Sequence, residues 1–366
     1  MLKPFNLSET KYLLKLTAIG WLIYKLSTIK LWFIYERSFP IISISNDFEI
    51  TNLKFHNAIG LLSFTMLLWV VYKTHKTGLW LVLFFESLLM LTDVMRWQPT
   101  VFQFYITFLI YLIQPKKFKV YFILLLSATY FYSGLQKFNL RFINLIWCDN
   151  ILKDFIGIPF EYAFSKPLKA IGFIIPLIEM LYGLLILTKW KKYAFITIII
   201  THIFILSYIG PFGINYNSAV WGWNMIMIGY ALFFIQKPIS IKLNFDLRLT
   251  AWLTLIYVLP FLNLFEKYYP YFSFDLYTGT KHYFYIFEEV EKDSPLADYT
   301  HTSQDKKLYF DQNILHCAFD DLNTPFTHDK WLYKRLIHSY NRKYPKSSPC
   351  FEISYYPFKT KEAFLE

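Results

Sequence analysis

Nine apolar stretches, at about residues 17–35, 58–72, 78–93, 100–114, 118–136, 168–188, 193–209, 219–236 and 249–265, fill most of the first 265 residues. Each approaches the roughly 20 apolar residues that a helix needs to cross a hydrocarbon layer of about 30 Å. In lipid, backbone polar groups must be satisfied within the segment, and only helices or closed barrels do that. The pattern therefore predicts an all-α polytopic membrane bundle of about nine transmembrane helices. Charged residues make up only 17% of the chain, against about 25% in soluble domains, which sets aside a soluble or disordered protein. Lys25 and Lys30 lie inside the first stretch, where a long side chain can snorkel to an interface. That stretch is too long for the core of a signal peptide and lacks a cleavage site, so it is expected to remain as the first span.

From Glu266 the apolar runs stop and charge density rises. The expected organisation is a transmembrane domain over 1–265 and a small C-terminal α+β extramembrane domain over 266–366. The net charge of +11 is spread over short clusters in alternate loops: Lys73 and Lys76; Lys116, Lys117 and Lys119; Lys189, Lys191 and Lys192; Lys237, Lys242 and Arg248. Loops rich in Lys and Arg face the cytoplasm. With nine spans, this sets the N-terminus inside and the C-terminal domain outside a plasma (inner) membrane. No basic run is interleaved with base-reading chemistry, so the partner is the lipid bilayer and not nucleic acid. Three cysteines, Cys148, Cys317 and Cys350, cannot build a disulfide framework and show no CxxC spacing. His316-Cys317 with Asp320 and Asp321 is not a zinc spacing, and the loop from Gly210 to Asn217 has no phosphate-loop pattern.

Ionisable residues in hydrocarbon are costly, and each is by default a functional candidate. Glu86 and Asp93 stand two helical turns apart on the third span, on one face. The fifth span ends in Tyr130 to Asn139 and carries Lys137. Glu179 follows Pro176 on the sixth, His202 lies mid-way along the seventh, and Trp221, Trp223 and Asn224 open the eighth. All fall in the middle or outer half of the bundle, so the expectation is one polar pocket opening outward. A structural reading stands beside each. Glu86 and Glu179 serve equally as interhelical hydrogen-bonding groups, His202 as a core histidine, Lys137 as an interfacial cation and the tryptophans as an aromatic belt.

The stretch Tyr130-Phe-Tyr-Ser-Gly-Leu-Gln-Lys137-Phe-Asn139 resembles the signature of the horizontally transferred transmembrane (HTTM) domain, the membrane part of vitamin K-dependent gamma-glutamyl carboxylase and its bacterial relatives. Asp93 to Phe104 resembles that family's aspartate-led loop, His202 with Ile209-Gly210 its histidine helix, and Tyr271 to Tyr277 the strand that opens its external domain. The resemblance implies that Lys137 is a catalytic base acting with a reduced quinone. The chain departs from the family at Gln98-Pro99-Thr100, where carboxylases carry an Asn-Asn-His group. Pro176-x-x-Glu179 also resembles DoxX-type membrane proteins, whose partner is a quinone.

Two functions follow. In the first, an outward-facing pocket performs carboxylase-like or quinone-linked chemistry, or binds a lipid-like ligand. Lys137 and His202 are then catalytic, and Glu86, Asp93, Tyr130, Glu179, Trp221, Trp223 and Asn224 line the pocket. In the second, the chain is a non-catalytic membrane subunit whose external C-terminal domain docks a protein partner.

Overall fold

A computed structural model describes residues 7–50, 52–243, 245–276, 278–279, 281–289, 301–302, 308–327, 329–345, 349–360 and 362–364. The long helices are α1 (Leu7–Ser27), α2 (Leu53–Tyr72), α3 (Lys76–Thr92), α4 (Pro99–Ile113), α5 (Phe118–Lys137), α6 (Lys166–Leu185), α7 (Lys191–Ile209), α8 (Trp221–Gln236) and α9 (Leu247–Phe265). Helix α9 contains a π-helical turn at Thr254–Val258 just ahead of Pro260, whose missing N–H cannot continue an α-helical ladder.

Each of the nine apolar stretches is therefore helical over most or all of its length, but among the described residues six helices are long and apolar enough to cross a membrane: α2, α5 with the turn before it, α6, α7, α8 with the turn before it, and α9. The expected first span does not run continuously from 17 to 35. Helix α1 ends at Ser27, a short turn follows at Ile29–Trp32, and the chain is extended at Phe33. Between α5 and α6 lies a π-helical segment, Phe142–Phe155, where no element was expected.

The chain forms two compact units: Met1–Tyr24, Leu62–Phe84 and Trp97–Gly279 in the first, and Lys25–Leu61, Phe85–Arg96 and Thr280–Glu366 in the second. The linear division at residue 265 thus differs from the spatial one, because charged side chains bind residues 25–49 to the C-terminal part.

In the first unit, α5 is the central helix, with most of its side chains buried. Its tightest neighbour is α6. A Cβ on Gly134 would lie 2.6 Å from the Pro176 carbonyl oxygen and 2.7 Å from the Met180 nitrogen. Only glycine admits so close a backbone approach. Two helix turns away along the same contact, the Ser127 hydroxyl donates to the Gly183 carbonyl at 2.6 Å.

In the second unit, a five-stranded antiparallel sheet has the order β2-β3-β1-β4-β5, with β1 His282–Glu289, β2 His301–Thr302, β3 Leu308–Asn313, β4 Cys350–Tyr355 and β5 Glu362–Ala363. Helices α10 (Ile314–Leu322) and α11 (Lys330–Lys343) begin at Asn313 and Asp329, whose side chains accept from the N–H groups of Leu315 and Trp331, the usual way of satisfying a helix start. Tyr333 of α11 stacks on Phe284 of β1 at 4.1 Å. Asp321 of α10 pairs with Lys30 at 2.7 Å and accepts from the Phe39 N–H. Arg335 reaches the Ser43 carbonyl and hydroxyl. The residues expected to open the C-terminal domain as a strand, from Tyr271, instead form a 3₁₀ turn at Pro270–Ser273. Pro270 at its first position is preset for a helical turn, and Tyr277 lies outside the described residues.

Candidate functional site

Tyr130, Ser133 and Lys137 occupy positions i, i+3 and i+7 of α5 and so share one stripe of its surface. The Gly134 contact holds that stripe against α6, beside Glu179. The Lys137 ammonium donates to Glu179 Oε1 and Oε2 at 3.0 and 2.8 Å and to Ser133 Oγ at 2.6 Å. Its three N–H groups are all engaged. The two side chains are 9% and 13% exposed. A lone charge at mid-membrane costs about 2.5–3.5 kcal/mol on insertion scales, and pairing makes the two a neutral unit.

A second chain of hydrogen bonds starts on α8. Asn224 Nδ2 donates to the Val220 carbonyl at 2.8 Å, which fixes the amide with its oxygen toward His202 of α7. That oxygen lies 2.6 Å from His202 Nδ1. Because an amide oxygen only accepts, Nδ1 carries a proton. In the neutral ring, Nε2 is then the lone-pair nitrogen, and it accepts from the Tyr130 hydroxyl at 2.7 Å. The lone pairs of the Tyr130 oxygen remain as acceptors. Trp223 meets His202 edge-on at 5.6 Å and donates to Gln103 Oε1 of α4 at 2.6 Å. Tyr182 packs edge-on against Tyr130 at 5.1 Å.

These two chains meet at a cavity of about 20 Å³ bordered by Tyr130, Lys137, Glu179, Tyr182, His202 and Trp223. A space of that size holds one water molecule. It brings together an ammonium, a carboxylate, a phenol oxygen and an imidazole, the components of proton transfer between positioned groups.

Of the nine expected site residues, the cluster unites six: Tyr130, Lys137, Glu179, His202, Trp223 and Asn224. Trp221 is engaged elsewhere, its indole N–H donating to the carbonyls of Ile209 and Tyr216 at 2.9 and 3.2 Å. Two residues apart on a helix, Trp221 and Trp223 face nearly opposite ways.

Glu86 and Asp93 belong to the second compact unit. Glu86 is ion-paired with Lys25, both fully buried, and the Lys25 ammonium lies 3.7 Å over the Trp32 ring. Asp93 accepts from Arg37 Nη1 at 2.6 Å and from the N–H of Met95 at 3.2 Å. Arg96, also fully buried, donates to the Leu31 carbonyl at 2.7 Å and to Thr92 Oγ1 at 2.8 Å, and lies 2.8 Å from His56 Nε2. Each of these two carboxylates thus has a cationic partner within its own unit. Depth along a helix is legible in sequence, whereas the cation that each carboxylate meets is set by packing.

Sequence reasoning passed over Ser133 and Gln103. Ser133 stands one turn before Lys137 on the same face, a signal within reach. Gln103 carries no such signal. Among the described residues, no group of three or more His, Cys, Asp or Glu side chains converges as a metal site. No known family model, curated protein or solved structure matches the chain.

Proposed function

We propose that the chain is an enzyme of the plasma (inner) membrane in which Lys137 acts as a base on a reduced quinone or another hydroxyl-bearing, lipid-like ligand. The observation that carries this reading is the meeting of the Lys137–Glu179 pair and the Tyr130–His202–Asn224 chain at one small cavity. A lysine becomes a base only after losing a proton, and the Glu179 carboxylate at 2.8 Å is positioned to take it. Both forms of the pair are neutral overall, so the shift within lipid separates no net charge. The free amine then removes a proton from the ligand. Tyr130 and His202 pass a proton onward or return it, because each has one donor and one acceptor position in the chain. A cavity of about 20 Å³ admits a single hydroxyl of the ligand and not a whole ring. The resemblance of Tyr130 to Asn139 to the HTTM signature is in keeping with this role for Lys137.

In the same proposal the bundle has about nine spans, adding α1, α3 and α4 to the six long apolar helices. The N-terminus is cytoplasmic, residues 266–366 are extracytoplasmic and the pocket opens outward. A reporter fused after Glu366 is then active only outside the cytoplasm, and cytoplasmic activity overturns the orientation.

The functional test is mass spectrometry of lipids retained by the purified protein. Wild type retains a quinone-class or related hydroxyl-bearing lipid near stoichiometry, and Lys137→Met loses it. A protein that holds only bulk phospholipid in both forms contradicts the proposal. The second reading, a non-catalytic subunit, draws on the full occupation of the Lys137 N–H groups within the bundle. Native mass spectrometry showing a bound protein subunit and no retained ligand favours it.

A further inference from the structure

The loop between α7 and α8 contributes nothing to the polar cavity, yet its backbone is closely fixed. Ile214 donates its N–H to the Tyr208 carbonyl at 2.8 Å, Asn215 to Gly210 at 3.1 Å and Tyr216 to Ile209 at 3.0 Å. Asn215 and Asn217 adopt left-handed backbone angles, φ 50° and 51°, which Asn tolerates better than most residues. Gly213 lies so near the carbonyl oxygens of Ser207 and Tyr208 that no Cβ fits there. The Trp221 indole closes the loop through its two carbonyl acceptors. This hydrogen-bonded turn holds Phe212 at 100% exposure, with Ile214 and Tyr216 exposed beside it.

Holding a phenylalanine fully outside a hydrogen-bonded turn is unfavourable in water, since the whole apolar ring stays hydrated. The surrounding chain identifies what covers it. No Asp, Glu, Lys or Arg occurs between Lys192 and Lys237, so the loop joins two apolar helices without a charge to draw it into water. Helix α7 has 19 residues and is therefore about 28 Å long, near the roughly 30 Å hydrocarbon thickness. Phe212 follows its last residue by three positions. The neighbouring segment between α5 and α6 has the same character: Ile151 and Phe155 pack on Tyr208, while Phe160 and Tyr162 are 57% and 67% exposed.

We infer that the Gly210–Asn217 loop is a membrane-interface anchor, with Phe212 inserted among the lipid acyl chains at the boundary of one leaflet and Tyr216 at headgroup level, as aromatic side chains at interfaces sit. The inference rests on the reading that the six long apolar helices cross a bilayer. The anchor sets the depth of α7, and with it His202, which lies seven residues, or about 10 Å, before Ile209.

The test is spin-label accessibility in phosphatidylcholine vesicles. Full-length protein carrying Phe212→Cys is labelled with a nitroxide after the exposed Cys350 has been changed to serine, the remaining two cysteines being buried. Collisions with oxygen, which concentrates in lipid, are compared with those of a water-soluble nickel chelate. The label at 212 is expected to meet oxygen several-fold more than nickel. Nickel access equal to that of a loop label at Thr188 overturns the inference, and so does shielding from both reagents, which indicates a second copy or another protein over the loop. A control label at Ile200, on the exposed face of α7, separates the two readings. Lipid exposure at 200 with water exposure at 212 defeats the anchor alone, and water exposure at both defeats the membrane reading itself.

Discussion

The Lys137 ammonium stands 3.0 and 2.8 Å from the two carboxylate oxygens of Glu179, on helices whose backbones touch at Gly134. The pair thus depends on a glycine that carries no chemistry. Gly134→Ala places a methyl group against the Pro176 carbonyl and the Met180 nitrogen, both backbone atoms that cannot turn aside. Overpacking of this kind costs about 1–3 kcal/mol. The expected outcome is a lower thermal midpoint in detergent together with loss of retained ligand. An unchanged midpoint would show that α5 and α6 leave room for a methyl group at this contact.

The buried Lys25–Glu86 pair gives a second expectation. Removing one partner leaves an uncompensated charge, and Lys25→Met is expected to destabilise by about 3–5 kcal/mol. Lys25→Met combined with Glu86→Gln removes both charges and recovers much of that loss. A double variant as unstable as the sum of the two single ones contradicts the pairing, and equilibrium unfolding in mixed micelles measures it.

Asn224 fixes which nitrogen of His202 carries the proton. Nitrogen-15 spectra of histidine-labelled protein are expected to show His202 protonated at Nδ1 when neutral. Asn224→Leu removes the acceptor and should yield a mixture of both tautomers. A wild-type ring protonated at Nε2 would break the hydrogen-bond chain as assigned.

The cysteines of the C-terminal region provide a pH-dependent test that needs no ligand. Burial, reinforced by the Asp320 charge, pushes the Cys317 thiol up to about 12. At pH 8 its thiolate fraction is then on the order of one in ten thousand, and thiolate is the reacting form. Iodoacetamide should modify the exposed Cys350 promptly and spare Cys317 until pH approaches 12 or the region unfolds. Equal labelling of both at pH 8 would show that Cys317, on the inner face of α10, is not buried.

Much of the fold was legible in the sequence because long apolar stretches have so few options: eight of the nine became single helices, with ends mostly within a few residues of expectation. The interruption after Ser27 was less so. Lys25 and Lys30 hinted at it, but their carboxylate partners, Glu86 and Asp321, lie 61 and 291 residues away along the chain. At the site, Tyr130, Ser133 and Lys137 could be read as one helical stripe, and Glu179 and His202 as intramembrane polar groups. The separate commitments of Glu86 and Asp93 could not, because depth along a helix does not reveal which way its polar face is turned. Trp221 and Trp223 could have been separated in advance, since a two-residue step reverses the helix face.

Whether Lys137 works as a base is decided by Lys137→Arg in a host whose loss of this protein produces a phenotype that the wild-type chain restores. Arginine keeps the positive charge and can still pair with Glu179, so the variant should insert and fold with a near-native thermal midpoint. A guanidinium does not deprotonate in a protein, so the phenotype should remain unrestored. Full restoration by the arginine variant would rule out a base at position 137 and leave Lys137 as the charge partner of Glu179 alone.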